Sequence, residues 1–274
     1  MSKMTREDML RELELLPVWQ LRVPLKTMNS PQLLVEESPV VADTLVSDAQ
    51  LAAEPVSPPA SFASIDTSVV DVEQKTNEAD TSFARGEQIA QMDWQSLQQC
   101  VRDCQACGLA QGRTQTVFGA GDAQAEWMFI GEAPSTEDDS QGAPFVGQAG
   151  KLLDNMLAAL RLKRSENVYI TYLLKCSLPE NREPHHTEAA QCECYLNRQI
   201  ELVQPKLIVV FGKVAAQTLL KSADDLDSMR GQLHEYHEVP VVVTYHPAHL
   251  LASSMDKAKA WEDLWFAKDT LQRL

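Results

Sequence analysis

Four short apolar runs, each followed by a segment of helical periodicity, constrain the fold of this chain more than any other feature. The apolar runs read EWMFI, NVYITYLLK, KLIVVFG and VPVVVTY. The segments that follow them read KLLDNMLAALRL, TEAAQCECYLNRQIELV, KVAAQTLLK and DKAKAWEDLWFAKDTLQRL. The runs are continuously hydrophobic, which is typical of parallel strands covered by helices on both faces. The pattern therefore predicts an α/β sandwich with a parallel sheet and right-handed crossovers.

Two polar loops follow the first and the last of these apolar runs. The first loop, residues 131–150, reads GEAPSTEDDSQGAPFVGQAG, and the second begins HPAHLL. In open α/β sheets, ligand sites form beyond the carboxyl ends of the strands. We therefore expect the two loops to contribute to one pocket.

The composition divides the chain into three regions. Residues 1–25 form an amphipathic segment, residues 26–92 a linker, and residues 93–274 the globular domain with the strand and helix pattern. The linker holds 11 acidic and 3 basic side chains, and its only aromatic residues are Phe62 and Phe83. Such a stretch buries too little apolar surface to offset its ordering entropy, so we expect it to be disordered.

The sequence argues against a membrane protein and against a secreted one. No apolar run approaches the ~20 residues that cross a bilayer, so no membrane partner is expected. The charged start of the sequence, MSKMTREDMLRELELL, lacks the apolar core of a secretory signal. A cytoplasmic location is therefore predicted, where the six cysteines should be reduced thiols or metal ligands.

Four of the cysteines are spaced as a metal centre would require. Cys104 and Cys107 form the motif CQAC. Cys176 and Cys192 are the two cysteines of the polar stretch KCSLPENREPHHTEAAQC. A close pair and a remote pair in turn-forming sequence can converge on one centre, and four thiolates suit zinc or an iron–sulfur cluster. Cys194 is an alternative to Cys192 as the fourth ligand, and the spacing does not decide between the two metals.

Taken in order, these motifs resemble the family 4 uracil-DNA glycosylases, the iron–sulfur branch of the uracil-DNA glycosylase superfamily. The resemblance covers about residues 97–274 and rests on CQACGLA, GEAPSTEDDSQGAPFVGQAGKLLDNML, YITYLLKCSLPENREP, CECYLNRQI, LIVVFGKVAAQTLL and TYHPAHLL. It implies a three-layer sandwich with a four-stranded parallel sheet, DNA as the partner, and hydrolysis of the N-glycosidic bond of uracil. The implied cofactor is a 4Fe–4S cluster, with zinc as the alternative, on Cys104, Cys107, Cys176 and Cys192.

The resemblance also implies roles for residues of the pocket. Phe145 would stack on a base flipped out of the DNA, and Glu132 would position water or stabilise a cationic sugar. His246 would stabilise the charge that builds on the uracil oxygen as the bond breaks. The implied base-binding set is completed by Ala133, Pro134, Ser135 and Tyr172.

Two residues of that pocket depart from the family pattern. Tyr172 stands where the family has an asparagine, and Ser135 where it has a glycine. A tyrosine does not copy the coplanar donor and acceptor that an asparagine offers to the edge of uracil, and its ring can fill the pocket. Residues 93–274 also hold 17 basic and 24 acidic side chains, a balance unfavourable to phosphate binding. We therefore predict a degenerate base pocket with weak or lost activity.

The N-terminal segment supports an alternative hypothesis. Its apolar side chains recur at near-helical spacing, among them Leu13, Leu16, Trp19 and Leu21. Such a segment is typical of a peptide that binds a partner groove, although docking on its own domain is also open. The stretch LPVWQLRVP resembles the N-terminal peptide of the psi subunit of bacterial DNA polymerase III. The alternative is thus a catalytically inactive adaptor, bound to a replication or repair protein through residues 1–25.

Overall fold

The computed structural model describes residues 84–274 of the chain. The proposed partner-binding segment, residues 1–25, and linker residues 26–83 lie outside the described residues. Their predicted roles, including those of Leu13, Leu16, Trp19 and Leu21, therefore stay predictions.

The first described helix, α1, covers residues 84–90, which the composition assigned to the linker. Its Ile89 is buried and belongs to one apolar cluster with Leu97, Val101 and Tyr195. The folded part of the chain therefore begins before the boundary at residue 93.

A six-stranded mixed sheet runs through the described residues. Its strands are β1 (Ala120–Gly121), β2 (Trp127–Gly131), β3 (Val168–Tyr172), β4 (Leu207–Phe211), β5 (Leu233–Tyr236) and β6 (Val239–Thr244). They lie side by side in the order β1, β3, β2, β4, β6, β5. Strands β3, β2, β4 and β6 pair in parallel, whereas β1 and β5 pair antiparallel at the two edges.

The prediction of a sheet with four parallel strands is not confirmed, because the sheet has six strands and is mixed. The four apolar runs form its centre. The two edge strands are not marked in the sequence because β1 is two residues long and β5 is mostly accessible, with Leu233 52% exposed. An edge strand with an accessible face lacks the continuous apolar run that marks a buried parallel strand.

Nine α-helices occur within residues 84–274, and none of them is both long and apolar enough to cross a membrane. They are α1 (84–90), α2 (Trp94–Arg102), α3 (Thr136–Gln141), α4 (Gln148–Ala159), α5 (His186–Val203), α6 (Lys213–Leu220), α7 (Leu226–Met229), α8 (Pro247–Ala252) and α9 (Lys257–Arg273).

Helices cover both faces of the sheet. Successive side chains of a strand point to opposite faces. On one face, Met128 and Ile130 of β2 share an apolar cluster with residues of α5 and α6. On the other face, Trp127 and Phe129 share a cluster with residues of α4 and α9. The predicted α/β class is therefore confirmed.

Candidate functional site

The two predicted loops meet at one edge of the sheet. Strand β2 ends at Gly131 and β3 at Tyr172, and these two residues are paired in register. Strand β6 ends at Thr244, just before His246. Because the carboxyl ends of parallel strands lie at the same edge, residues 131–150 and His246 face one region.

Phe145 lies at the centre of this region. The centroid of its ring is 4.8 Å from that of Tyr172 and 5.6 Å from that of His246, with interplanar angles of 26° and 30°. Phe145 is buried and has a left-handed backbone, with φ of 53°. That conformation is costly for a residue other than glycine and requires support from its surroundings. The structure thus brings together three of the predicted site residues.

Arg164 supplies that support. Its Nη1 donates to the Pro144 carbonyl oxygen at 2.7 Å, and its Nη2 donates to the carbonyl oxygens of Phe145 at 2.8 Å and Gly150 at 3.1 Å. A Cβ atom at Gly150 would collide with the Phe145 carbonyl oxygen. The guanidinium and the glycine together fix the backbone that carries the Phe145 ring.

Tyr172 packs flat against Phe145 inside the protein. It is 2% exposed, and its hydroxyl donates to Asp138 Oδ2 at 2.7 Å while accepting the Phe145 backbone N–H at 3.1 Å. Burial, together with the Asp138 charge, raises the pKa of Tyr172 far above its ordinary value, so the phenol stays protonated. Its ring and its hydroxyl are therefore both held in the pocket region.

Asp138 is a buried carboxylate that the sequence analysis did not single out. It is 3% exposed, its Oδ1 accepts the Val146 N–H at 2.8 Å, and its Oδ2 accepts the Ser135 N–H at 2.9 Å. Ser135 Oγ in turn accepts the Asp138 N–H at 3.2 Å, which completes a capping box at the start of α3. The serine that departs from the family pattern thus caps a helix, and the spacing S-x-x-D was the signal for it.

The structure directs Glu132 toward α6. Its Oε1 accepts the Val214 N–H at 2.8 Å, and a Cβ atom at Gly212 would lie 2.5 Å from that oxygen. Burial raises the pKa of Glu132 above its usual value, although the N–H groups at the start of α6 partly oppose this by lowering it. Of the two residues that follow, Ala133 packs against the cluster on the α5 and α6 side and Pro134 is buried.

His246 is the N-cap of α8. Its Nδ1 accepts the Ala248 N–H at 3.2 Å, so the neutral ring carries its proton on Nε2. Burial lowers the pKa of His246 to about 4, opposed by the charge of Asp138. At neutral pH the ring is therefore an uncharged hydrogen-bond donor beside Phe145.

Acid is expected to destabilise the folded protein through His246. Its pKa of about 4 in the fold lies below the ordinary value of 6.5, so the unfolded chain binds more protons between those two values. The free energy of unfolding should therefore fall as the pH drops from about 6.5 toward 4. Because the ring is partly buried, we expect a loss of roughly 1–3 kcal/mol.

Denaturant unfolding at pH 7 and pH 4.5 measures this loss, with His246→Asn as the control because asparagine can still cap α8. The variant should lose less stability than the wild type over the same interval. Equal losses in the two proteins would show that His246 is not the titrating group.

The cysteines of the predicted centre lie on three segments of the fold. Cys104 and Cys107 follow α2, Cys176 follows β3, and Cys192 lies in α5. Burial raises the pKa of Cys176, and the charges of Cys107 and Cys104 raise it further. Burial likewise raises the pKa of Cys192 to about 12, with added contributions from Cys176 and Cys107. All six cysteines, which lie within the described residues, are free thiols.

Cys192 and Cys194 lie on different sides of α5. Cys192 is buried in the same apolar cluster as Cys176. Cys194 packs with Cys100 and Cys104 on the α2 side, and its Sγ donates to the Gln191 carbonyl oxygen at 3.6 Å. In residues 84–274, no three His, Cys, Asp or Glu side chains form a ready-made metal site. The four thiols are therefore donors of the kind that a soft metal prefers, but they are not arranged as a closed metal site.

Comparisons with known proteins identify the family of the chain. The family described as the uracil DNA glycosylase superfamily matches residues 118–265. The type-4 uracil-DNA glycosylase of Archaeoglobus fulgidus is 42% identical over 168 residues, 57% of this chain and 84% of that protein. That of Saccharolobus solfataricus is 37% identical over 179 residues, 62% of this chain and 83% of that protein. That of Thermotoga maritima is 34% identical over 177 residues, 63% of this chain and 92% of that protein.

Proposed function

This chain belongs to the uracil-DNA glycosylase superfamily, within its type 4 family, and we propose that it is a uracil-DNA glycosylase-like DNA repair protein. The observation that carries the proposal is the convergence of Phe145, Tyr172 and His246 where β2, β3 and β6 end. The names of its relatives, type-4 uracil-DNA glycosylases, support the same reaction class for this chain.

The reaction is hydrolysis of the bond between uracil and deoxyribose in DNA. A water oxygen bonds to the sugar carbon C1′ as the C1′–N1 bond breaks, and the electron pair of that bond leaves with the base. The proton that the water loses is transferred through solvent to the departing base, so the products are uracil and an abasic deoxyribose. Phe145 presents a ring face to the base that has been flipped out of the DNA. His246 donates its Nε2 proton in a hydrogen bond to the base oxygen on which negative charge develops.

Two carboxylates, the half-buried Glu132 and the buried Asp138, have separate tasks in this proposal. Glu132 Oε1 is engaged by the Val214 N–H, so Oε2 is the oxygen that positions the attacking water or faces the cationic sugar. Asp138 holds the Tyr172 hydroxyl, and its charge acts on His246. Asp138 is therefore a positioning residue of the pocket, whereas Glu132 is the candidate for contact with the reacting groups.

The finer proposal is that Tyr172 occupies the base position itself. Its ring stacks on Phe145 as a base would, and its hydroxyl accepts the Phe145 backbone N–H that a base oxygen would otherwise accept. Uracil can enter only if this ring moves, which requires breaking the bond to Asp138. We therefore propose a degenerate pocket in which uracil excision is weak in the wild type.

DNA is the proposed partner, and the charge of the domain limits how strongly it binds. Residues 93–274 hold more acidic than basic side chains, 24 against 17. Release of counterions by Lys and Arg drives phosphate binding, so we expect weak binding. Single-stranded DNA is the favoured substrate form, because no pairing energy opposes removal of the base from the stack. We place this activity in the cytoplasm.

A 4Fe–4S cluster on Cys104, Cys107, Cys176 and Cys192 is the proposed cofactor, with zinc as the alternative. The support is the donor chemistry: Cys176 and Cys192 share one buried cluster with Cys107 packed against it, and a cluster bound by four thiolates needs neither a histidine nor a carboxylate. When bound, such a cluster would tie the segment after α2 to β3 and α5 and supply a one-electron centre.

Cys192→Ser is expected to lose most of the bound metal, whereas Cys194→Ser should retain it. The reason is that Cys192 lies with Cys176 in one buried cluster, while Cys194 packs on the α2 side. Iron, zinc and acid-labile sulfide per chain measure the outcome after anaerobic purification. Loss in Cys194→Ser with retention in Cys192→Ser would reverse the assignment of the fourth ligand.

A second candidate function is a catalytically inactive adaptor in a replication or repair complex. The observation that favours it is the filled base position at Tyr172. The partner would bind residues 1–25, whose stretch LPVWQLRVP resembles the psi peptide.

One assay separates the two functions. The full chain is incubated with a uracil-containing single-stranded oligonucleotide, and abasic sites are counted after alkaline cleavage. Excision that is abolished by His246→Ala supports the glycosylase. No excision by the wild type and none by Tyr172→Asn, with partner capture that requires residues 1–25, supports the adaptor.

A further inference from the structure

Arg113 joins two parts of the cysteine centre. Its Nη1 donates to Cys176 Sγ at 3.1 Å, and its Nη2 donates to the Cys104 carbonyl oxygen at 2.6 Å and the Arg102 carbonyl oxygen at 3.3 Å. One guanidinium therefore contacts a sulfur of the remote pair and the backbone that carries the close pair. Among the described residues, no carboxylate forms an ion pair with Arg113.

A second cation, Lys175, is enclosed beside the same cysteines. It is 1% exposed, and its Nζ donates at 2.7 Å to Thr171 Oγ1, to the Tyr172 carbonyl oxygen and to Gln199 Oε1. All three acceptors are neutral. An enclosed ammonium group is costly without a countercharge, and Cys176, the next residue in the chain, would supply one as a thiolate bound to a cluster.

A third cation lies at the outer side of the centre. Arg85 Nη2 donates to Cys104 Sγ at 3.7 Å, and its Nη1 donates to Gln191 Oε1 at 2.9 Å. Positive groups therefore surround the thiols from α1, from the segment after α2 and from the end of β3. Four neutral thiols would have no need of this arrangement, whereas a centre bound by four thiolates carries negative charge.

From this geometry we infer that Arg113 and Lys175 compensate the charge of an iron–sulfur cluster on the four cysteines and raise its reduction potential. This inference rests on the proposed cofactor. Reduction adds an electron to a centre that is already negative, so nearby cations and N–H groups directed at sulfur stabilise the reduced form. Arg113 and Lys175 act through the cysteines and are positioning residues of the centre.

The test is a redox titration of the full chain with dithionite and ferricyanide, followed by visible absorption and by electron paramagnetic resonance. Arg113→Gln removes the charge and should shift the midpoint potential to more negative values. Arg113→Lys keeps the positive charge but loses the fork of N–H groups, so its midpoint potential should lie between those of the wild type and Arg113→Gln. Lys175→Met should shift the potential in the same direction as Arg113→Gln.

Arg198→Gln is the matched control. Arg198 lies in α5 like Cys192, but it donates to the Met92 carbonyl oxygen and to Glu201. Its loss should leave the potential unchanged.

The possible failures are distinguishable. If the wild type contains full iron and has the same midpoint potential as Arg113→Gln, the cations do not tune the cluster, although the cluster is present. Wild type without iron would overturn the cluster and this inference together. If Arg113→Gln loses its iron, retention of iron in Arg113→Lys supports charge compensation, and equal loss in both variants overturns it.

Discussion

Tyr172→Asn is expected to raise uracil excision by about 10²-fold or more over the wild type. The substitution removes the ring that stacks on Phe145 at 4.8 Å and releases the Phe145 backbone N–H. It also places a coplanar donor and acceptor where the edge of uracil would lie. The measurement is the initial rate of abasic-site formation on a single-stranded oligonucleotide with one uracil, under single-turnover conditions.

Tyr172→Phe is the matched control for this gain. It keeps the ring in place but removes the hydroxyl bonds to Asp138 and to the Phe145 N–H. If the ring blocks the pocket, Tyr172→Phe should show no gain in excision. A gain in Tyr172→Phe equal to that in Tyr172→Asn would instead assign the block to the hydroxyl.

The asparagine variant also loses buried aromatic contacts. Large-to-small changes of this kind cost about 3 kcal/mol in a packed core, so thermal unfolding has to be followed alongside the rates, and the assay run well below the transition. A folded Tyr172→Asn protein as slow as the wild type would show that Tyr172 does not limit the activity.

His246→Ala is expected to lower excision by about 10²–10³-fold in the Tyr172→Asn background, the usual effect of losing one donor from an oxyanion site. The ring is neutral at pH 7 with its proton on Nε2, and its centroid lies 5.6 Å from that of Phe145, so it is placed to donate to a base stacked there. The same single-turnover assay measures the loss. His246→Asn, which keeps a donor and a cap for α8, should retain part of the rate.

His249→Ala is the control for His246→Ala. His249 lies in the same helix, is exposed, bonds Asp256 through Nε2 at 2.9 Å and stacks on Tyr245. Its loss should leave the rate within a small factor. Equal losses in the two histidine variants would point to damage to α8 as a whole instead of loss of a donor.

The centre of the fold could be predicted because its signal is local. Strands β2, β3 and β4 are buried along their whole length and β6 along its last four residues, and each appears in the sequence as an apolar run. The edge strands β1 and β5 are short or accessible, so hydrophobicity does not mark them. Helix α1 falls within the predicted linker because its sequence, ARGEQIA, holds too few apolar residues to show a helical period, although Ile89 is buried.

The composition of the pocket could also be predicted, but the direction of its side chains could not. The convergence of Phe145 and His246 follows from their positions after the ends of parallel strands. The orientation of Glu132 depends on where the Val214 N–H emerges, and Val214 is far from it in sequence. Asp138 had a local signal, the capping box with Ser135.

The α/β class, the edge of the sheet where the loops meet and the residue types available there could be read from the sequence alone, because periodicity and motif order are local properties. What each group contacts depends on the tertiary structure. Tyr172 fills the position next to Phe145, Arg164 holds that loop, and Arg113 reaches Cys176. These contacts join residues that are distant in the chain, and their geometry depends on how the helices pack on the sheet.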